Sequence, residues 1–168
     1  WLEKVIVAKN AADLDDDAKE KALKEAATHF SKAIEIDEMN ETPTAAPHYG
    51  LAEVALQRDD AETATAQWTA GLILDPLPRP EVTDKLVRLL TLLEELDEAE
   101  SQLGELATSL AALAGRPGVN EAAVIQARKL VGLLEGELYV ARSEFQKAIQ
   151  SLQPLFQQSL PDDSSGYT

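Results

Sequence analysis

The chain has 168 residues, a length that suits one compact domain or one short repeat array. Hydrophobic residues make up 45% of it, aromatic residues only 5%, and the net charge is −15, so the composition excludes wholesale disorder and makes nucleic acid a poor partner. Cysteine is absent, which excludes disulfides, cysteinyl zinc sites and thiol catalysis.

Apolar and small residues recur at three- and four-residue steps along almost the whole chain, a pattern typical of amphipathic helices. No window alternates apolar and polar residues for long enough to predict a strand. The sequence therefore predicts an all-α fold of about eight helices. In chain order they cover residues 2–12, 15–37, 47–57, 61–74, 81–94, 96–113, 121–135 and 138–155.

The breaks between these helices are of two kinds. Proline- and glycine-containing segments at 41–44, 75–80 and 115–120 end one helix pair and precede the next. Within a pair the breaks are much shorter, at 59–60, 95 and 136–137, and such short connections make neighbouring helices antiparallel. We therefore expect one repeat domain at 1–158, with repeats at 1–40, 44–77, 80–114 and 120–157, and a flexible polar tail at 159–168.

The second helices of the four predicted pairs carry residues that recur in register, with spacings of 38, 35 and 42. Alanine or glycine in these columns allows a paired helix to approach closely, and the bulky residues fill the gap to the next pair. Such a unit needs a neighbour to bury its second face. The columns are Leu23, Ala61, Leu96, Leu138; Ala26, Ala64, Ala99, Ala141; Phe30, Trp68, Leu103, Phe145; and Ala33, Gly71, Leu106, Ala148.

These residues resemble the tetratricopeptide repeat, and residues 48–76 match it best. Leu51 and Ala52 stand at the family's Leu-Gly pair, and Ala64 at its small residue. Trp68 stands at its aromatic residue, and Pro76 at its closing proline. The segments 96–100 and 136–149 are similar to the second-helix motif of the family. The resemblance implies a right-handed superhelical α-solenoid of about four antiparallel helix pairs.

Residue patterns that carry chemistry are missing from the sequence. The acidic run at 13–17 begins like a calcium loop, but Ala18 replaces the required glycine and Lys24 the closing glutamate, so a helix start is the better interpretation. The two histidines, His29 and His48, have no metal-binding spacing, and no serine lies in a nucleophile motif. We expect no catalytic residue, metal or cofactor, and therefore not an enzyme.

The resemblance implies instead a concave groove, lined by the first helix of each pair, that holds a peptide or helix of a partner protein. Such a groove would accept apolar side chains and offer carboxylates to a basic partner. It lacks the Lys/Asn clamp of chaperone-binding members, because Tyr49 and Glu53 occupy two clamp positions. The groove residues carried over are Tyr49, Glu53, Leu56 and Gln57 in the second repeat and Asp84, Arg88, Thr91 and Leu92 in the third.

The alternative function is a structural scaffold whose end repeats or tail join copies of the chain into a homo-oligomer. No segment reaches the length of a membrane span, and no signal-peptide pattern is present. Since the sequence begins at Trp1 and not at methionine, we expect a fragment or a processed form. The sequence does not distinguish a cytoplasmic from a periplasmic location.

Overall fold

The structure, a computed structural model, describes residues 16–157. This part of the chain is all-α: it holds seven helices and no strand. The predicted helix at 2–12 and the predicted tail at 159–168 lie outside the described residues. The helices are α1 (Asp16–Met39), α2 (Ala45–Gln57), α3 (Ala61–Leu74), α4 (Pro80–Leu92), α5 (Leu96–Leu113), α6 (Glu121–Ala141) and α7 (Phe145–Gln157).

Polar side chains fix where several helices begin. Asp60 accepts a hydrogen bond from the backbone N–H of Thr63 at 3.0 Å, and Asn120 accepts one from Ala123 at 3.2 Å. Each bond satisfies an N–H group that the first turn of a helix leaves without a partner. The acidic run opens α1, with Asp16 and Asp17 in its first turn, where carboxylates complement the helix dipole.

Four tight turns, at 40–42, 58–60, 93–95 and 142–144, share one backbone geometry. In each turn a residue other than glycine adopts a left-handed conformation: Glu41, Asp59, Glu94 and Ser143 have φ of 55°, 58°, 63° and 62°. The next residue then donates its N–H to a carbonyl five residues upstream, as in a Schellman motif. These bonds run from Thr42 to Asp37, from Asp60 to Ala55, from Glu95 to Leu90 and from Glu144 to Tyr139, at 3.0, 2.9, 2.9 and 2.8 Å.

The described residues fall into two compact units, divided between Val82 and Thr83. In the first unit, α1 packs on α2 through a core of Leu23, Phe30 and Val54. A Cβ atom added at Gly50 would lie 2.3 Å from Cε1 of Phe30, closer than atoms can pack. Any larger residue at this position of α2 would therefore force the aromatic ring of α1 or one of the two helices to shift.

Helices α2 and α3 form an antiparallel hairpin in the same unit. Ala52 and Ala64 are fully buried, and Trp68 is 1% exposed. A Cβ atom at Gly71 would lie 2.4 Å from Cε1 of Tyr49, so the ring of this tyrosine occupies the space that glycine leaves. Small residues thus allow the two helices to approach closely, as the sequence predicts for this pair.

The second unit contains α5, α6, α7 and all but the first residues of α4. Arg142, at the end of α6, donates to the backbone carbonyl of Leu96 at 3.0 Å and pairs with Asp97 at 2.6 Å, which places α6 antiparallel to α5. A Cβ atom at Gly136 of α6 would lie 2.5 Å from Cγ of Leu152 in α7. Close helix approach at a small residue therefore recurs in this unit.

The predicted break at 136–137 is wrong. Helix α6 continues to Ala141, and the turn to α7 lies at 142–144. Because glycine commonly ends helices, the sequence alone predicts a turn at Gly136. In the structure it is a buried helical residue whose missing side chain makes room for Leu152.

This shift also corrects the last members of the repeating columns. Phe30, Trp68 and Leu103 are buried as expected, but Phe145 is 60% exposed, and Ala141 lies exposed at the end of α6. The equivalent turns instead align Ala64 and Ala99 with Ala148, and all three are buried, at 0%, 0% and 3% exposure. Ala148 follows Ala99 by 49 residues, so the last spacing is 49 and not 42.

Candidate functional site

Tyr49, the first groove residue expected from the sequence, is anchored inside the first unit. Its ring lies against Gly71, and its hydroxyl donates to Asp75 Oδ2 at 3.3 Å. Partial burial, and then the nearby carboxylate of Asp75, raise the pKa of Tyr49 to about 12. The side chain therefore stays neutral and ties the start of α2 to the end of α3.

Asp75 collects three hydrogen bonds where α3 ends. Besides Tyr49 it accepts from Arg79 Nε at 2.7 Å and from the backbone N–H of Leu77 at 3.1 Å. Burial raises the pKa of this carboxyl, but the hydrogen bonds from Arg79 and Leu77 and the charge of Arg79 outweigh it, so the pKa lies below its usual value. This cluster holds the proline-rich segment at 75–80.

The other expected groove residues of α2 differ in exposure. Glu53 is half-buried, whereas Leu56 is 38% exposed and Gln57 is exposed at the last position of the helix. His48 of the same helix donates from Nδ1 to Oε1 of Gln67 on α3 at 2.8 Å. This half-buried contact supports a structural role for His48 as a residue that fills the space between two helices.

The expected groove residues of α4 lie in the second unit, and two of them form an ion-pair bridge. Arg88 Nε pairs with Asp84 at 2.8 Å, and Arg88 Nη1 pairs with Glu137 on α6 at 2.5 Å. Although burial lowers the pKa of Arg88, the two carboxylates raise it above its usual value. The bridge links α4 to α6 and leaves the three side chains with one excess negative charge.

The last two expected residues of α4 have separate environments. The hydroxyl of Thr91 donates to the backbone carbonyl of Val87 at 2.7 Å, so it is satisfied within its own helix. Leu92 ends the helix and is 80% exposed.

Sequence reasoning missed the residues that α6 adds beside this bridge. Leu133 and Val140 are 40% and 51% exposed, and they lie four residues before and three residues after Glu137. Positions four and three apart lie on one face of a helix, so an apolar residue flanks Glu137 on each side. The spacing was present in the sequence, but the helix break placed at 136–137 separated Leu133 from Val140.

This surface of the second unit, formed by Asp84, Arg88, Leu133, Glu137 and Val140, is named the bridge surface below. It combines exposed aliphatic side chains with a carboxylate pair that one guanidinium neutralises only in part. Such a surface can bury apolar side chains of a ligand and attract a ligand cation.

Other surface features give weaker evidence of a binding site. Depressions of about 460 Å³ and 410 Å³ lie in the first unit. The larger one is lined by Lys24, Lys32 and Arg58, but Arg58 is already paired with Glu20 at 3.1 Å. Among residues 16–157, no cluster of histidine and acidic side chains could hold a metal ion, and no helix there has the length and apolarity to cross a bilayer.

Comparison with protein-family models and with curated proteins finds no match to this chain.

Proposed function

We propose that this chain is a tetratricopeptide-like repeat protein that acts without catalysis, as a module that binds a peptide or helix of another protein in a groove. The proposed architecture is a right-handed solenoid of about four helix pairs. Its support is the recurrence of buried alanine at three equivalent positions, Ala64, Ala99 and Ala148, each four residues after the residue that closes the preceding turn.

The corrected register changes the resemblance in the last pair. When Ala148 takes the family's small position, Gly136 takes the glycine position of the first helix, as Ala52 does in the second repeat. Gly136 is buried against Leu152, in keeping with close helix packing at that position. Glu135 then stands where the second repeat has Leu51, so the Leu-Gly pair is matched only at its glycine.

The bridge surface is the observation that carries the binding function. Arg88 and Glu137 occupy equivalent positions in the third and fourth proposed repeats, so the bridge joins neighbouring first helices. Leu133 and Val140 remain exposed on the helix face that the family uses for ligands. An amphipathic helix with apolar residues on one face and a lysine or arginine beside them fits this surface.

Binding can be tested with a fluorescently labelled synthetic helix of leucine and lysine residues. We expect the full chain to bind it, and Leu133→Glu or Val140→Glu to weaken binding by about tenfold, because a carboxylate would replace an apolar contact. Fluorescence anisotropy at several salt concentrations measures the affinity.

The matched control is Ile73→Glu, which adds the same charge at a residue of α3 that is 76% exposed. This control separates contact at the bridge surface from general attraction between a basic peptide and an acidic protein. If all three variants bind the peptide equally, the bridge surface is not the binding site.

A further inference from the structure

The smaller depression of the first unit, of about 410 Å³, lies where two helices end. The carboxyl ends of α1 and α3 form its sides, and the segment that leads from α1 into α2 completes it. Sites for small molecules have volumes of about 300–1,000 Å³, so the depression is large enough to hold one.

Apolar side chains form most of the wall of this depression. They are Ile34 of α1, Pro43 of the connecting segment, and Ala70, Ile73 and Leu74 of α3. Ile73 is 76% exposed, so part of the wall is in contact with water in the free protein. A ligand with an apolar body would remove this surface from water, which is favourable.

Two carboxylates, those of Asp37 and Glu38, also line the depression. No lysine or arginine is among the described residues that line it. Neither carboxylate forms an ion pair within residues 16–157. The histidine at the depression, His48, is bound to Gln67 by the 2.8 Å hydrogen bond described above. The two carboxylates are therefore available to a ligand that carries a positive charge.

Thr44 holds one of these carboxylates in place. Its hydroxyl donates to Asp37 Oδ2 at 2.5 Å. Thr44 is the N-cap residue of α2, a position where threonine commonly accepts a hydrogen bond from the first turn of its own helix, but it makes no such bond here. The hydroxyl orients the carboxylate instead, and the other oxygen of Asp37 can accept from a ligand.

The backbone adds negative charge at the same place. The carboxyl end of a helix carries about half an elementary negative charge, which cations stabilise and carboxylates oppose. Neither α1 nor α3 has a basic residue in its last turn, and Asp37 and Glu38 lie in the last turn of α1. These carboxylates therefore oppose the dipole of α1 in the free protein, and a bound cation would relieve the repulsion.

We propose that this depression, named the amine site below, binds a small organic ammonium ion with a compact apolar body. The ammonium group pairs with Asp37 and Glu38, and the body packs on the aliphatic wall. A lysine of a partner protein fits less well, because its unbranched chain contacts little of a wall that three segments contribute. The amine site belongs to the first unit and the bridge surface to the second, so this proposal does not depend on the groove function.

Heteronuclear magnetic resonance of the isotopically labelled full chain tests the amine site. Titration with cyclohexylmethylammonium should shift the backbone amides at 34–48 and 70–75 and saturate, with a dissociation constant in about the millimolar range or tighter. Methylammonium lacks the apolar body, and cyclohexylmethanol lacks the charge. We expect each of these two compounds to bind about tenfold more weakly or less.

A pair of double variants separates the amine site from the general acidity of the protein. Asp37→Asn with Glu38→Gln should weaken binding of cyclohexylmethylammonium about tenfold, because two ion pairs are lost. It should also raise the melting temperature, because the two charges oppose the dipole of α1. The matched control is Glu25→Gln with Glu35→Gln, which removes two charges from exposed residues of the same helix that do not line the depression. Its effect on binding should be less than about twofold, since salt screens distant charges.

Three results overturn the proposal. Equal weakening by the two double variants means that the ammonium ion responds only to net charge. Equal binding of methylammonium and cyclohexylmethylammonium means that the aliphatic wall contributes nothing. Tighter binding of acetyl-lysine methylamide than of cyclohexylmethylammonium means that the depression holds a lysine of another protein and not a small molecule.

Discussion

The glycines at helix crossings give the sharpest quantitative prediction. Gly50→Ala would place a methyl group 2.3 Å from Cε1 and 2.4 Å from Cζ of Phe30, whose side chain is nearly buried. Ordinary carbon contacts begin near 3.5 Å, so the ring or the helix must move by about 1 Å. Such overpacking costs about 1–3 kcal/mol, against a gain of about 1 kcal/mol from replacing glycine by alanine in a helix.

We therefore expect Gly50→Ala to destabilise the protein by about 0–2 kcal/mol. Gly104→Ala is the matched control, because a Cβ atom there would meet nothing within 4 Å. That variant should stabilise the protein by about 1 kcal/mol. Urea denaturation followed by circular dichroism measures both changes from the transition midpoint, provided that the slopes stay equal.

A double-mutant cycle identifies the clash as the cause. In a Phe30→Leu background the ring is absent, so Gly50→Ala should become stabilising, with a coupling energy of about 1–3 kcal/mol between the two sites. If Gly50→Ala stabilises the natural chain as much as Gly104→Ala does, the close contact between α1 and α2 is not as described.

Three further predictions concern charged and polar groups. Arg142→Ala should lower the free energy of unfolding by about 1–3 kcal/mol, because a backbone carbonyl and two carboxylates lose their partner. Arg58→Ala, at a more exposed pair, should lower it by less than about 1 kcal/mol. Thermal melts of both variants measure the difference. The hydrogen bond from the backbone N–H of Thr63 lowers the pKa of Asp60 below 3.8. The stability that this carboxylate contributes is therefore present above pH 3.8 and is lost as the pH falls through the lowered pKa. Asp60→Asn should make the melting temperature change less between about pH 2 and 5. The pKa of Tyr49 is raised from 10.0 to about 12, so stability falls as the pH rises between these values, and Tyr49→Phe should remove one late step from an ultraviolet absorbance titration.

Local sequence signals are sufficient to predict most of the helices. The predicted bounds 61–74 and 96–113 agree with α3 and α5, since the break before each helix is short and a proline or glycine segment follows it. The all-α class is confirmed for the described residues for the same reason.

The fourth predicted pair shows where local signals fail. Gly136 lies inside a helix and against Leu152, sixteen residues away, and no local pattern contains that contact. The same limit applies to the groove. Its membership stays a prediction, but helical spacing could not show that Tyr49 would contact Gly71 or that Arg88 would pair with Glu137.

The four matching turns have a consequence for how such a chain can diverge. Aspartate, glutamate and serine occupy the left-handed position in turn, while the hydrogen bond that closes each turn keeps nearly the same length. The backbone, and not the identity of the side chain, reverses the direction of the chain. A helical hairpin of this kind can therefore change the residue types at its turn through mutation and still bring its two helices side by side.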